Sequence, residues 1–192
     1  PYAQTKIIIE NILKDIYEAE KNWSVACLRY FNPIGAHKSG LIGDDPLSGK
    51  NANLMPEIIK VVRGKKDYLE VFGDDYPTPD GTGIRDYIHI MDLANGHLAA
   101  MNFLKNSNPQ FIPINLGTGK GTSILELINI FEETNKVKIP YIFDSRRPGD
   151  SYISYADNQF AINNLNWTPF YGVNDMCKHG WEFMRKNLRL NS

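Results

Sequence analysis

Apolar residues near the start of the chain recur at the spacing of one helix face. The residues that show this spacing are Ile8, Ile9, Ile12, Leu13 and Ile16. They predict a helix from Tyr2 to about Tyr17. The mostly apolar run 24–31 that follows predicts a buried strand. A helix followed by a buried strand is half of a parallel α/β pattern.

The rest of the chain alternates between helical and strand-like segments. Apolar residues at helical spacing predict helices at 54–62, 92–104, 123–134, a short one from 157, and 173–188. Short apolar runs predict strands at 68–72, 111–116 and 141–143. Gly, Pro, Asp and Asn dominate 32–52 and 73–86, which predicts loops. The second loop is long for a mere connection and suggests a function.

Two helix starts carry residues that cap the free backbone N–H groups. Asp92 is a candidate N-cap for the helix that runs to about Leu104. Ser123 and Glu126 have the spacing of a capping box, with the second helix ending near Thr134.

Composition and charge exclude several classes of protein. The 192 residues have a net charge of −1 and a pI near 6.5, so no electrostatic footprint for nucleic acid is present. No apolar stretch is long enough for a membrane-spanning helix, and we expect no membrane partner. Cys27 and Cys177 lie far apart, which indicates buried free thiols in a reducing compartment and a cytoplasmic location.

Tyr2 and Lys6 form a Tyr-x-x-x-Lys motif at the start of the first predicted helix. Residues four apart share a helix face, so the phenol and the ammonium group can meet. A cation favours phenolate, and lowering a tyrosine pKa by about three units requires roughly 4 kcal/mol. The spacing is common by chance, so the motif alone is weak evidence for catalysis.

Other candidate motifs are weaker or generic. Glycine-rich segments 43–50 and 117–121 depart from phosphate-binding and dinucleotide fingerprints, so we interpret both as turns. Arg85, Arg146 and Arg147 have planar guanidinium groups suited to phosphate, although a single arginine is more often a solvated surface charge. His37 and His89 lack partners at metal-ligand spacing, so we expect structural roles and no metal.

Nine strings, taken in order, resemble the UDP-galactose 4-epimerase family of extended short-chain dehydrogenases/reductases. They are 1–6, 28–37, 53–56, 71–73, 74–78, 80–94, 114–119, 146–150 and 165–167. Several unusual strings in register are more specific than any one motif. The resemblance covers nearly the whole chain but only the carboxy-terminal half of the family's length. Because Pro1 has no Met before it, we expect the chain to be part of a longer protein.

The resemblance implies an α/β fold with two parts. One is the carboxy-terminal part of a Rossmann-type NAD-binding domain, and the other is a smaller mixed α/β substrate-binding domain. Residues 1–35 would be the remnant of the dinucleotide-binding domain. Residues 36–192 would be mainly substrate domain, with about 86–118 returning to the Rossmann sheet. The glycine-rich NAD loop of the family is absent from this sequence.

The resemblance also implies roles for individual residues. Tyr2 would be the catalytic acid/base with Lys6 as its partner, and both would contact NAD together with Tyr30 and Phe31. The implied substrate-binding residues are Asn32, Asn53 and Leu54 for the sugar nucleotide; Glu70, Val71 and Phe72 for uracil; Arg85 and Arg147 for the diphosphate; Asp150 for the uridine ribose; and Ser154 for the sugar.

The implied activity is interconversion of UDP-galactose and UDP-glucose through a 4-keto sugar, with bound NAD and a homodimeric enzyme. A small residue at Ser154 would also admit N-acetylated UDP-hexosamines, although a shift of one residue would put Tyr155 there instead. A related epimerase for uronic acids or pentoses and a non-catalytic UDP-sugar-binding fragment stay open as alternatives. The isolated chain is expected to be inactive.

Overall fold

The fold is known from a computed structural model that describes residues 2–44 and 53–190, and side chains up to 186. Its helices are α1 Tyr2–Ala19, α2 Leu54–Val62, α3 Ile90–Lys105, α4 Ile124–Asn135, α5 Gln159–Leu165 and α6 Val173–Leu190. Its strands are β1 Val25–Tyr30, β2 Asn32–Ile34, β3 Leu69–Phe72, β4 Ile84–Arg85, β5 Tyr87–His89, β6 Phe111–Leu116, β7 Thr122–Ser123, β8 Tyr141–Asp144 and β9 Ile153–Ser154. The predicted bounds of α2 and β6 are confirmed.

Parallel pairing dominates the strands, which confirms the predicted α/β class. β1 pairs with β6, β2 with β5, and β3 with β8, all in parallel. β4 lies between β7, which runs antiparallel to it, and β9, which runs parallel to it. Parallel neighbours need long crossover connections, and helices α2, α3 and α4 lie in the chain between the paired strands.

Two clusters of buried apolar side chains hold these layers together. One includes Ile58 of α2, Val71 of β3, Phe131 of α4 and Met176 of α6. The other joins α3, β5, β6 and α5 and includes Ile88, Leu93, Ala100, Ile114, Leu116, Ala161 and Trp167. Each cluster contains residues from segments that are far apart in sequence.

Helix α1 lies on the surface of this chain. None of its residues is buried, and its isoleucines Ile7, Ile8, Ile9, Ile12 and Ile16 are 40–54% exposed. Glu10 fastens the helix to β1 through Arg29, whose Nε and Nη2 lie 2.8 and 2.6 Å from the two carboxylate oxygens. That hydrogen-bonded pair lowers the pKa of Glu10.

Helix α3 begins two residues earlier than predicted, so the expectation that Asp92 is its N-cap is wrong. His89 is the N-cap, and its Nδ1 accepts a hydrogen bond from Met91 N at 3.0 Å. Asp92 lies inside the first turn, where Oδ2 accepts from Tyr171 N at 2.9 Å. Burial raises the pKa of Asp92. The capping box of Ser123 and Glu126 at the start of α4 is confirmed.

Helices α4 and α5 both end on a non-glycine residue in the left-handed conformation. Lys136 has φ 55° and ψ 46°, and Asn166 has φ 50° and ψ 41°. Side chains with a Cβ rarely adopt this region, and asparagine tolerates it better than lysine does.

Candidate functional site

A cavity of about 430 Å³ opens between α2, β3, β4 and the turn that follows β8. Its lining residues are Leu54, Glu57, Lys60, Lys66, Leu69, Glu70, Phe72, Tyr76, Gly83, Arg85, Ile124, Arg147 and Asp150. The volume is in the range of sites that hold small organic ligands. Six of the predicted substrate residues therefore line one cavity: Leu54, Glu70, Phe72, Arg85, Arg147 and Asp150.

Strand β3 contributes one wall through the alternation of its side chains. Glu70 and Phe72 line the cavity, whereas Val71 is 1% exposed and belongs to the core beneath. Successive side chains of a strand point to opposite faces, which explains the separation. The side chain of Val71 therefore does not line the cavity. The contact with uracil that the resemblance implies for Val71 would have to be made by its backbone.

The two predicted phosphate-binding arginines reach the cavity from different elements. Arg147 follows β8, and its guanidinium carbon lies 3.8 Å from the centroid of the Phe72 ring. Arg85 is on β4, and its Nη1 donates to the carbonyl oxygen of Ile84 at 2.9 Å. Stacking on an aromatic face leaves the edge of a guanidinium group free to donate hydrogen bonds. Both arginines therefore contribute a positive charge to the cavity lining.

Arg146 precedes Arg147 in the chain but has a different place in the fold. Its Nε lies 2.6 Å from Asp75 Oδ1, and its Nη2 lies 2.6 Å from the Asp75 carbonyl oxygen. Its guanidinium carbon also lies 4.3 Å from the Tyr76 ring centroid. The hydrogen bond from Arg146 lowers the pKa of Asp75. Arg146 therefore fixes the loop after β3, while Arg147 is left for the cavity.

A chain of charges that the sequence analysis missed lines another part of the cavity. Lys66 Nζ lies 2.7 Å from Glu70 Oε2 and 3.3 Å from Glu57 Oε2, and Glu57 Oε1 lies 2.7 Å from Lys60 Nζ. Burial alone raises the pKa of Glu57, but hydrogen bonds from Lys60 and Lys66 outweigh it and lower the pKa. The three-residue spacing of Glu57 and Lys60 within α2 was the available signal.

Asp80 orders residues 73–83 of the segment 73–86, which was predicted to be a functional loop but whose residues Ile84–Arg85 form β4. Its Oδ1 accepts from Thr82 N and Thr82 Oγ1 at 2.9 and 2.7 Å, and its Oδ2 accepts from Ser123 Oγ. Burial opposes ionisation, yet these hydrogen bonds lower the pKa of Asp80. The carboxylate thus ties the loop to the start of α4, beside the cavity residues Tyr76 and Gly83.

Asp86 is buried behind Arg85 and was not singled out as a site residue. Its carboxylate accepts four hydrogen bonds: Oδ1 from Thr118 N at 2.9 Å and Thr118 Oγ1 at 2.5 Å, and Oδ2 from Gly119 N at 2.9 Å and Ala156 N at 3.1 Å. Its backbone N–H donates to Ser154 O at 3.0 Å, and its carbonyl accepts from Asn32 N at 2.9 Å.

Tyr2 and Lys6 come together on α1, outside the cavity. Lys6 Nζ lies 5.2 Å from the centroid of the Tyr2 ring, and Tyr2 is 75% exposed. The structure therefore brings the ammonium group and the phenol onto one face of the helix, as the spacing predicts.

Tyr30 ends β1 and contacts α3. Its hydroxyl lies 2.7 Å from His97 Nε2, and His97 Nδ1 lies 2.8 Å from the carbonyl oxygen of Leu93. A carbonyl only accepts, so a neutral His97 carries its proton on Nδ1 and Tyr30 donates to Nε2. Phe31 and Asn32 follow, beside Gly117 and Asp86 respectively.

The other two predicted residues outside the cavity lie at element boundaries. Asn53 is the N-cap of α2 without a side-chain capping hydrogen bond. Ser154 is exposed on β9 and is registered with Arg85 of β4. Residues opposite each other in paired strands share a face of the sheet.

An α/β fold with parallel strands beside a cationic, aromatic-walled cavity is the architecture of nucleotide-binding α/β enzymes. This chain belongs to the NAD dependent epimerase/dehydratase family, which residues 1–117 match.

Individual relatives narrow the comparison to one kind of enzyme. A UDP-glucose 4-epimerase of Cyamopsis tetragonoloba is 50% identical over 187 residues, which are 97% of this chain and 53% of that protein. The solved UDP-glucose 4-epimerase of Stenotrophomonas maltophila, with bound NAD and formylated UDP-arabinopyranose, is 45% identical with a TM-score of 0.94 over 99% of this chain and 56% of that one. That of Bifidobacterium longum, in complex with NAD+ and UDP, is 44% identical with a TM-score of 0.92 over 98% of this chain and 55% of that one.

This chain spans about half the length of the relatives it matches. Within residues 2–44 and 53–190, no helix has both the length and the apolar character to span a membrane. The same described residues contain no group of three or more His, Cys, Asp or Glu side chains placed to hold a metal ion.

Proposed function

We propose that this chain is the substrate-binding and acid/base half of an NAD-dependent UDP-glucose 4-epimerase that interconverts UDP-glucose and UDP-galactose. The observation that carries the proposal is the convergence of Arg85 and Arg147 on one cavity with Phe72 and Glu70 in its wall. A nucleoside diphosphate offers a flat base and two anionic phosphates, which match an aromatic side chain and two guanidinium groups. The Bifidobacterium relative, similar over 98% of this chain, is in complex with NAD+ and UDP.

The residues around the ends of β1 and β6 fit a nicotinamide cofactor. Ligands of open parallel sheets bind beyond the carboxyl ends of the strands, where Tyr30 ends β1 and Phe31 follows it. Tyr2 and Lys6 are both exposed and share a helix face, so the hydroxyl and the ammonium group are available to a cofactor ribose. NAD, when bound, would take up and return the hydride at C4 of the sugar.

Tyr2 would move the proton in this reaction. As a phenolate, it would accept the proton of the sugar 4-hydroxyl and give it back after the sugar has turned over. Lys6 would hold the phenolate by its positive charge. Arg85 and Arg147 would retain the diphosphate throughout, so that the 4-keto sugar can present its other face without leaving.

Ser154 would set the size of substituent accepted at the sugar. Its registration with Arg85 puts it on the face of the sheet that carries this arginine. Tyr155 lies beside Gly121 instead, since a Cβ at Gly121 would be 3.5 Å from Tyr155 Cδ1. We therefore favour Ser154 over Tyr155 and propose activity on N-acetylated UDP-hexosamines as well.

A UDP-pentose epimerase is the second candidate, since the Stenotrophomonas relative is bound to a formylated UDP-arabinopyranose. A homodimer stays a proposal that rests on the resemblance, and a cytoplasmic location stays one that rests on Cys27 and Cys177. The uronic-acid and non-catalytic alternatives stay open.

The test is turnover by the complete protein that contains this chain, loaded with NAD. We expect UDP-galactose to be converted to UDP-glucose, measured by a coupled UDP-glucose dehydrogenase assay. A panel with UDP-xylose and UDP-glucuronic acid separates the alternatives. Tight UDP binding without turnover of any sugar would contradict the enzymatic proposal and leave a binding protein. The chain beginning at Pro1 alone is expected to be inactive.

A further inference from the structure

We infer that Asp86 is a positioning residue that holds the sugar-side segment Ser154–Ala156 and the turn 117–119 in register with the diphosphate-binding Arg85. The inference rests on the proposed epimerase function and assigns a role to a residue that touches neither substrate nor cofactor in that proposal.

The carboxylate of Asp86 joins two segments that have no covalent connection nearby. Oδ1 accepts from the backbone N–H and the hydroxyl of Thr118, and Oδ2 accepts from Gly119 N and Ala156 N. All four donors lie 2.5–3.1 Å away, and Asp86 is 0% exposed. A buried carboxylate is costly unless its lone pairs are satisfied, and here they are.

The backbone of Asp86 binds two further segments of the proposed site. Its N–H donates to Ser154 O, and its carbonyl accepts from Asn32 N. Asn32 follows the strand that ends beside the proposed nicotinamide position, and Ser154 is the proposed size-determining residue. One residue therefore connects the cofactor side, the sugar side and the diphosphate side.

The packing around the carboxylate leaves little room for an alternative arrangement. A Cβ at Gly117 would lie 2.6 Å from Asp86 Oδ2 and 2.6 Å from Ala156 Cβ. The turn can therefore approach the carboxylate only because Gly117 has no side chain. None of the ion pairs among the described residues involves Asp86, so three backbone N–H groups and one hydroxyl, and no basic side chain, satisfy its carboxylate.

Asp86→Asn tests the inference because it is nearly isosteric. The side-chain amide of asparagine would place two hydrogens against N–H groups that now donate to the carboxylate, so donors would face donors. Loss of register between Ser154 and Arg85 should lower kcat for UDP-galactose by about 10²-fold, since displacements near 1 Å have effects of that size. The dissociation constant for UDP should stay within about threefold, the range of a neutral substitution, because Arg85 and Arg147 are unchanged.

Asp92→Asn is the matched control. Asp92 is also buried, at 2% exposure, and its carboxylate accepts backbone hydrogen bonds remote from the cavity. It should lower the melting temperature to a similar extent without lowering kcat. Thr118→Val removes one of the four donors and serves if Asp86→Asn does not fold; a reduced kcat with retained UDP affinity is again expected.

Three results would overturn the inference. They are wild-type kcat in the folded Asp86→Asn variant, parallel loss of kcat and UDP affinity, and wild-type kcat in Thr118→Val when only that variant folds. Amide hydrogen exchange at Gly119 and Ala156 needs no turnover and should accelerate in Asp86→Asn. If the wild type has no epimerase activity, the proposed function fails, and unchanged exchange would then overturn the positioning role on its own.

Discussion

The guanidinium carbon of Arg147 lies 3.8 Å from the centroid of the Phe72 ring, so a cation packs over an aromatic ring at the wall of the cavity. This contact orders the Arg147 side chain before a ligand binds. A group that is already ordered loses less side-chain entropy on binding, which improves affinity.

Replacing either cavity arginine should weaken UDP binding. We expect Arg85→Ala and Arg147→Ala each to cost about 1.5–3 kcal/mol, the value of a hydrogen bond to a charged group, as measured by calorimetry with UDP. Arg146→Ala is the control, because Arg146 pairs with Asp75 outside the cavity. Unchanged affinity in both cavity variants would contradict the diphosphate role.

Tyr2→Phe should lower kcat in the complete, NAD-loaded protein by about 10²–10⁴-fold, because only the ionisable hydroxyl is removed. Lys6→Met should also lower kcat, since the phenolate of the proposed reaction loses the cation that would stabilise it. Tyr17→Phe is the control on the same helix, where the hydroxyl lies 3.4 Å from the Pro109 carbonyl oxygen. Full activity of Tyr2→Phe with NAD bound would refute the assignment.

Ser154→Tyr should lower kcat/KM for UDP-N-acetylgalactosamine by about 10–200-fold, the range of discrimination by steric misfit, while preserving that for UDP-galactose. The added ring would fill space that an acetamido group needs. Tyr155→Ser, on the neighbouring residue, should leave the ratio of the two substrates unchanged. A wild type that rejects the acetamido sugar, or a Ser154→Tyr variant that still accepts it equally, would show that Ser154 is not the determinant.

The free energy of unfolding should fall as the pH is lowered from about 6.5 to 4. Burial, then His179 and His37, lower the pKa of His89 to about 4, against an opposing effect of Asp175. His89 Nδ1 accepts from Met91 N, so a neutral ring donates from Nε2 to His179 Nδ1, 3.0 Å away. His89 binds a proton more tightly in the unfolded chain than in the folded one. Its contribution to the free energy of unfolding is therefore complete above pH 6.5 and is lost as the pH falls toward 4.

The expected loss from His89 is about 2 kcal/mol between pH 7 and 4.5, measured by urea unfolding. His89→Asn keeps an N-cap acceptor but cannot titrate, so the slope with pH should flatten. His97→Asn, at an exposed position of α3, is the control and should keep the slope. Equal slopes in wild type and His89→Asn would contradict the role of His89.

Elements with strong local signals were predictable from sequence. The bounds of α2 and β6 and the capping box of α4 follow from apolar spacing and cap residues alone. Strand β2 was missed and assigned to a loop, because Asn32–Ile34 is short and becomes a strand only by pairing with β5, distant in sequence. Asp92 was misassigned because an aspartate suits both an N-cap and a first turn, and only the start of the helix decides.

Site residues could be predicted where the sequence resembles the family. The contacts that a residue makes with distant segments could not. The neighbouring residues Arg146 and Arg147 look equivalent in the sequence. In the fold, however, Arg146 binds Asp75, whereas Arg147 packs over Phe72 and lines the cavity. Glu57 and Lys66 meet only because α2 and β3 flank the same cavity. A carboxylate such as that of Asp86 gives no local sign that backbone donors from two distant segments will surround it.

The left-handed residues that end α4 and α5 leave room for engineering a more stable protein. The left-handed conformation strains the backbone of Lys136 and Asn166 and would not strain a glycine. Glycine also has more conformational freedom in the unfolded chain, which offsets part of the gain in stability. The strain is larger for lysine, so Lys136→Gly should gain more, on the order of 1 kcal/mol, than Asn166→Gly. Neither residue lines the cavity between α2, β3 and β4, so thermal tolerance could be raised there without trading away catalysis.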